Sequence, residues 1–122
     1  MKKLLFLAAS LALTPATFAA NPAAAVQTMK GEILEMACYM GHGAKGPKHA
    51  GCAKGCVAAG APMGLLSDSG TVYLLVENHA GKKAKKAYDA AKNLAGAKAS
   101  VTGSVVARGG IQAIVVDSVS KL

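Results

Sequence analysis

Hydrophobic residues alternate with polar ones through much of the second half of the chain, and the spacing turns helical once there. Ala99, Val101, Gly103, Val105 and Ala107 take every second position among Lys98, Ser100, Thr102, Ser104, Val106 and Arg108. Successive strand side chains point to opposite faces, so this spacing predicts a strand with one apolar side. Gly109-Gly110 supplies a turn, and Ile111 to Val119 returns as the partner strand. Upstream, Met63 to Ser67 and Thr71 to Glu77 form a second hairpin about Asp68-Ser69-Gly70. Apolar residues fall on both faces of Thr71 to Glu77, which predicts a strand covered on both sides. Between the two hairpins, Ala84, Ala87, Tyr88, Ala91, Leu94 and Ala95 recur at helical spacing, and Gly96 follows as a stop. A helix over Lys82 to Ala95 is expected, with its lysines largely off the apolar stripe.

The first half is less regular. Gln27 to Tyr39 reads as a strand, with a bulge at Gly31 where the alternation slips. Met40 to Pro47 carries three glycines and a proline and reads as loop. His49 to Ala59 reads as a short helix ended by Gly60 and Pro62. The order is then strand, cysteine-bearing insertion, strand, strand, helix, strand, strand.

At the N-terminus, Lys2 and Lys3 precede the apolar stretch Leu4 to Leu13, which is too short to span a bilayer, and Thr17-Phe18-Ala19 offers small residues for cleavage. Residues 1–19 are expected to be a signal peptide, residues 20–26 a disordered leader, and residues 27–122 one domain. The location implied is periplasmic or secreted. Loss of Lys2 and Lys3 takes the formal charge from +8 to about +6, still basic. Single-strand binding also draws on aromatic platforms, and three tyrosines with no tryptophan supply few, so no nucleic-acid partner is expected. The Lys82-Lys83-Ala-Lys85-Lys86 run reads as a solvated helix face, with weak docking on an anionic surface as its alternative.

All three cysteines lie in one short region: Cys38, then His49-Ala-Gly-Cys52-Ala-Lys-Gly-Cys56. On a helix, His49, Cys52 and Cys56 share a face, and Cys38 arrives on a separate segment to close a Cys3His set. Export favours disulfides, and a Cys52–Cys56 bridge or a Cys38 bridge to either helix cysteine is the alternative, yet three cysteines cannot all pair within a chain, and positions four apart on a helix lie near the limit for bridging. A metal holding all the sulfurs as thiolates explains the odd number better. Zinc fits a closed thiolate and imidazole set, and copper(I) is the runner-up, with Met36, Met40 and Met63 near enough in sequence to assist it. Those methionines also suit a core. His42 is the alternative to His49 as fourth ligand, and His79 reads as a plain loop histidine.

The element order resembles that of the oligonucleotide/oligosaccharide-binding (OB) barrel, across about Gln27 to Leu122. The resemblance implies a mainly β, five-stranded OB-like barrel with short helices and a Cys/His-bearing helical insertion after strand 1. The cysteine and histidine set, together with Gly60-Ala-Pro-Met-Gly-Leu-Leu and Thr71-Val-Tyr-Leu-Leu, is similar to a group of small exported bacterial proteins without an assigned activity. Cys52-x3-Cys56 also resembles the cysteine pair of periplasmic copper-insertion chaperones, whose thioredoxin-like pattern this chain lacks.

An exported metal-binding protein is the leading expectation. A thiol-disulfide redox protein using Cys52 and Cys56, with Cys38 resolving, or a partner-binding barrel with structural cysteines, are the alternatives. Haem attachment is excluded because no Cys-x2-Cys-His occurs, and no Gly-x-Ser-x-Gly elbow or paired carboxylates support a hydrolase. No enzymatic role is expected, and thiol redox is the one chemistry these residues offer.

Overall fold

The computed structural model describes residues 24–122. The expected signal peptide, and residues 20–23 of the expected leader, lie outside the described residues. Five strands, β1 (Ala25–Glu35), β2 (Met63–Ser67), β3 (Val72–Glu77), β4 (Lys98–Arg108) and β5 (Ile111–Lys121), close into a barrel in the order β1-β2-β3-β5-β4. The pairs are antiparallel except β3 with β5, which run parallel. Helices α1 (Met36–His42) and α2 (Ala50–Ala58) occupy the insertion after β1, and α3 (Lys82–Lys92) joins β3 to β4. The fold is the OB-like barrel that the element order suggested. Among the described residues no helix is long and apolar enough to cross a membrane.

The inward positions supply the core. Ile33, Leu65, Leu75, Val101, Ile114 and Val116 come from the strands, and Ala91 and Ala95 join them from α3 and the turn after it. Ala53 and Val57 of α2 are each 1% exposed and belong to the same cluster, so the cysteine-bearing helix is anchored in the barrel core. The opposite side of α3 carries Lys82, Lys83, Lys85 and Lys86 into solvent, where Lys85 pairs with Asp89 at 3.2 Å. An exposed pair of this kind contributes little to stability.

The structure corrects the first half of the chain in four places. Ala25 and Val26 pair with Val105 and Ser104, so β1 starts inside the expected leader. Gly31 is not a bulge: it pairs in continuous register with Ser67 on one side and Ala99 on the other. It sits where β1, until then paired with β4 alone, takes up β2 as well. A Cβ here would press into the Leu66 carbonyl oxygen, so only glycine lets the two backbones approach at this barrel corner. The register shift falls instead at Thr102/Gly103 in β4.

Third, β1 ends at Glu35 rather than Tyr39, and Met36–His42 is helical, including the expected loop residues Met40 to His42. Fourth, α2 is shorter than expected: a 3-10 turn, Pro47–His49, precedes it and takes His49. Downstream, α3 stops at Lys92 instead of Ala95, because Ala95 forms an isolated bridge to Ile33 and Gly96 N–H donates to the Ile33 carbonyl at 2.7 Å.

The double apolar patterning of β3 meets cover on one side only. Leu75 is 2% exposed in the core, whereas Val72 and Leu74 are half-buried and line an outward groove of about 390 Å³ with Met36, Met40 and Ile111.

Candidate metal centre

The site is assembled from the insertion, and each donor is placed by a local feature of the sequence. Cys38 is fixed by Glu35. This residue keeps an extended backbone at φ −86° and ψ 118° while its carboxylate accepts the N–H groups of Ala37 and Cys38, each at 2.8 Å. Those are orphan donors of the first helical turn, and satisfying them starts α1. The helix ends at Gly43, in the left-handed region, whose N–H bonds the Tyr39 carbonyl at 2.8 Å. Gly46 N–H then donates to the Glu32 carboxylate, bringing the loop back to β1.

Pro47 opens the 3-10 turn that places His49, and α2 begins one residue later. The start of α2 is seated against Gly96: a Cβ on that residue would lie 2.5 Å from Ala50 Cα, and φ +78° there already favours glycine. The segment between α2 and β2 is tied to the start of α1, since Met36 N–H donates to the Pro62 carbonyl at 2.9 Å.

These constraints bring Cys38, His49 and Cys52 together, one donor atom from each lying within 4.8 Å of the other two. They form the one such group of metal-ligating side chains among the described residues. Cys38 and His49 are half-buried and Cys52 is exposed. His49 Nε2 is buried and has no hydrogen-bond partner. A buried polar atom left unpaired is costly, and an imidazole nitrogen beside two sulfurs is a ready metal donor.

Cys56, the fourth expected ligand, stands outside the group. It follows Cys52 by one turn of α2, and its thiol is close enough to hydrogen-bond with Cys52, which pushes its titration upward. All three cysteines are free thiols. The other sequence candidates are elsewhere: His42 ends α1 exposed and outside the group, and His79 is an exposed residue beside Lys82 and Lys85. Met63 is 1% exposed in the core, and Met36 and Met40 line the apolar groove.

Glu35 is the residue the sequence reading missed. It is 2% exposed, and the hydrogen bond from the Cys38 thiol, followed by the two backbone N–H bonds, holds its carboxyl below the ordinary 4.5 despite burial. The same contact acts in reverse on Cys38, whose thiol the Glu35 carboxylate pushes up from 9.0 to about 12. Metal binding at Cys38 therefore displaces a proton, and zinc affinity is expected to rise by up to about one decade per pH unit for each thiol deprotonated on binding. Competition titrations at pH 6.5, 7.5 and 8.5 measure this slope.

The metal-free fold should weaken at both extremes of pH. Glu35 contributes stability that is present above its ordinary 4.5 and lost as pH falls through its lower folded-state value. Cys38 contributes stability that is present below 9.0 and lost as pH rises toward about 12. Urea unfolding of Glu35→Gln and Cys38→Ala beside wild type checks both; because the two groups share one hydrogen bond, each variant should flatten its own limb and weaken the other. The one outward signal for Glu35 is a carboxylate three residues before a cysteine in a segment that ends at Gly43. No family model matches this chain, and no match to it is found among curated proteins or solved structures.

Proposed function

We propose that this is an exported metal-binding protein that holds one zinc ion through Cys38, His49 and Cys52, with Cys56 as the fourth donor. The observation that carries the reading is the convergence of two thiols and an imidazole within 4.8 Å from separate elements, with His49 Nε2 buried and unpartnered. Zinc binds sulfur at about 2.3 Å and imidazole nitrogen at about 2.0 Å, so tetrahedral donors stand roughly 3.5–3.8 Å apart. Side-chain rotation covers that contraction. Cys56 joins by the same kind of movement, since it already lies against Cys52.

Zinc is favoured over copper(I) because the gathered set mixes imidazole with thiol. Copper(I) is the second reading, supported by the exposure of Cys52 to an exchanging partner. Export rests on the charged and apolar N-terminal pattern of residues 1–19, and it places the protein in the periplasm or outside the cell.

A stapling role follows from how the insertion is held. No residue of α1 is buried, whereas α2 is rooted by Ala53 and Val57, so the ion would add a side-chain tie between the two helices to the Met36–Pro62 backbone hydrogen bond. Elemental analysis of protein purified from its native host tests the reading, with about one zinc per chain expected. Less than about a tenth of an ion per chain would refute it. Chelation should leave the barrel folded and open the exposed Lys45 peptide bond to trypsin within the α1–α2 loop. Unchanged cleavage after zinc removal would refute the stapling role.

A further inference from the structure

We infer that a Cys38–Cys52 disulfide is the alternative occupant of this site, so that oxidation and metal binding exclude each other. The inference rests on the metal reading above and adds a control to it.

Cys52 has a neighbouring thiol on either side, Cys38 across the helices and Cys56 along α2. The geometry distinguishes them. Residues four apart on a helix hold their Cβ atoms about 5–6 Å apart, whereas a disulfide needs about 3.8 Å. Closing Cys52 onto Cys56 therefore requires α2 to distort, and α2 is rooted in the core by Ala53 and Val57. Cys38 meets no such obstacle. Its sulfur already lies within 4.8 Å of Cys52 Sγ, and it rides on α1, which buries no residue and can shift to let the bond close.

The order of events follows from exposure. Cys52 is exposed and Cys38 half-buried, so an oxidant meets Cys52 first. With a small-molecule disulfide RSSR as oxidant, the Cys52 sulfur attacks one sulfur of RSSR, forming a mixed disulfide and releasing RSH. Cys38 then attacks Cys52 Sγ, the Cys52–SR bond breaks, and a second RSH leaves. Two thiols have lost two electrons, RSSR has gained them, and the two protons depart on the two RSH molecules. Two of the four proposed donors are then consumed, leaving His49 and Cys56. Conversely, a bound zinc ion engages both sulfurs and withholds them from RSSR, so the metal-loaded chain resists the same reagent.

Trypsin separates the three cysteines cleanly, since Lys30, Lys45, Lys48, Lys54 and Lys82 place Cys38, Cys52 and Cys56 in different peptides. The experiment treats the metal-free and zinc-loaded mature chain with oxidised glutathione, blocks remaining thiols by alkylation, and maps disulfides by mass spectrometry while released zinc is measured. In the metal-free chain a Cys38–Cys52 bridge should dominate, and Cys56→Ser should still form it. Cys38→Ser should stop at the glutathione adduct on Cys52. Zinc loading should slow bridging at least about tenfold, with one zinc released for each bridge formed.

A dominant Cys52–Cys56 bridge, or equal oxidation rates with and without zinc, would overturn the inference. A chain that takes up no zinc yet forms Cys38–Cys52 overturns the metal reading and the exclusion while leaving the bridge. A chain that binds zinc but bridges elsewhere overturns this inference alone.

Discussion

Cys38→Ala is expected to weaken zinc binding by about a hundred- to a thousandfold while the barrel stays folded. A structural zinc set of four ligands is worth about 10–16 kcal/mol, so the loss of one ligand removes roughly a quarter of that, about 2.5–4 kcal/mol. Cys38 is half-buried and its thiol hydrogen-bonds the Glu35 carboxylate, so the metal-free variant should be less stable than wild type while the barrel stays folded. Competition against a chromophoric chelator reads the affinity, and urea titration of the metal-free chains reads the stability. His42→Ala supplies the contrast: His42 lies outside the gathered donors, and its loss should leave zinc affinity within about twofold of wild type. Equal losses in the two variants would mean that the imidazole donor is not fixed as the structure has it.

Gly31→Val should damage the fold as severely as Cys38→Ala damages the site. The first carbon of any side chain at residue 31 presses on the Leu66 carbonyl oxygen, with Ser67 Cα 2.8 Å away, and both are backbone atoms that no rotamer change can remove. Relief demands that β1 and β2 separate at the place where β1 is hydrogen-bonded on both edges. Overpacking of this sort costs about 3 kcal/mol or more, a large share of the roughly 5–15 kcal/mol that holds a domain together. A fall in melting temperature of at least about 12 °C is expected by calorimetry, and a shift under about 3 °C would mean that the two strands separate freely.

The β-rich half of the chain was legible because its signals are local. Period-two alternation with Asp68-Ser69-Gly70 and Gly109-Gly110 turns identified β2 to β5, and helical spacing identified α3. In the β2–β3 turn, Ser67 Oγ donates to the Thr71 carbonyl at 2.9 Å and accepts from Thr71 N–H, so the turn is held by the two residues that flank Asp68-Ser69-Gly70. The OB-like barrel followed from the resemblance in element order.

What escaped the sequence depends on contacts between distant residues. Gly31 interrupts the alternation whether it bulges or merely allows close approach, and only the Leu66 carbonyl decides between them. Tyr39 and Met40 suit a strand or a helix equally. What converts them to helix is Glu35, a residue outside the usual Ser, Thr, Asp and Asn capping set, turning its carboxylate onto Ala37 and Cys38. The end of α3 was misplaced for a similar reason, because Ala95 follows the helical stripe but is captured by Ile33.

The site was legible in its residue types and partly in its membership. Spacing along the expected His49–Ala59 helix singled out His49 and Cys52, although His49 lies in the 3-10 turn before α2, and the odd number of cysteines pointed to Cys38. Spacing alone also placed Cys56 on an equal footing with the others, whereas the gathered donors are Cys38, His49 and Cys52, with Cys56 beside them. The role of Glu35 depends on burial, which a one-dimensional pattern does not reveal.

X-ray absorption at the zinc edge of the loaded, reduced chain tests the central claim most directly, since it counts the atoms bound to the ion. The account predicts three sulfur neighbours at about 2.3 Å and one nitrogen at about 2.0 Å, the nitrogen being lost in His49→Ala. A shell of oxygen and nitrogen without sulfur would contradict it.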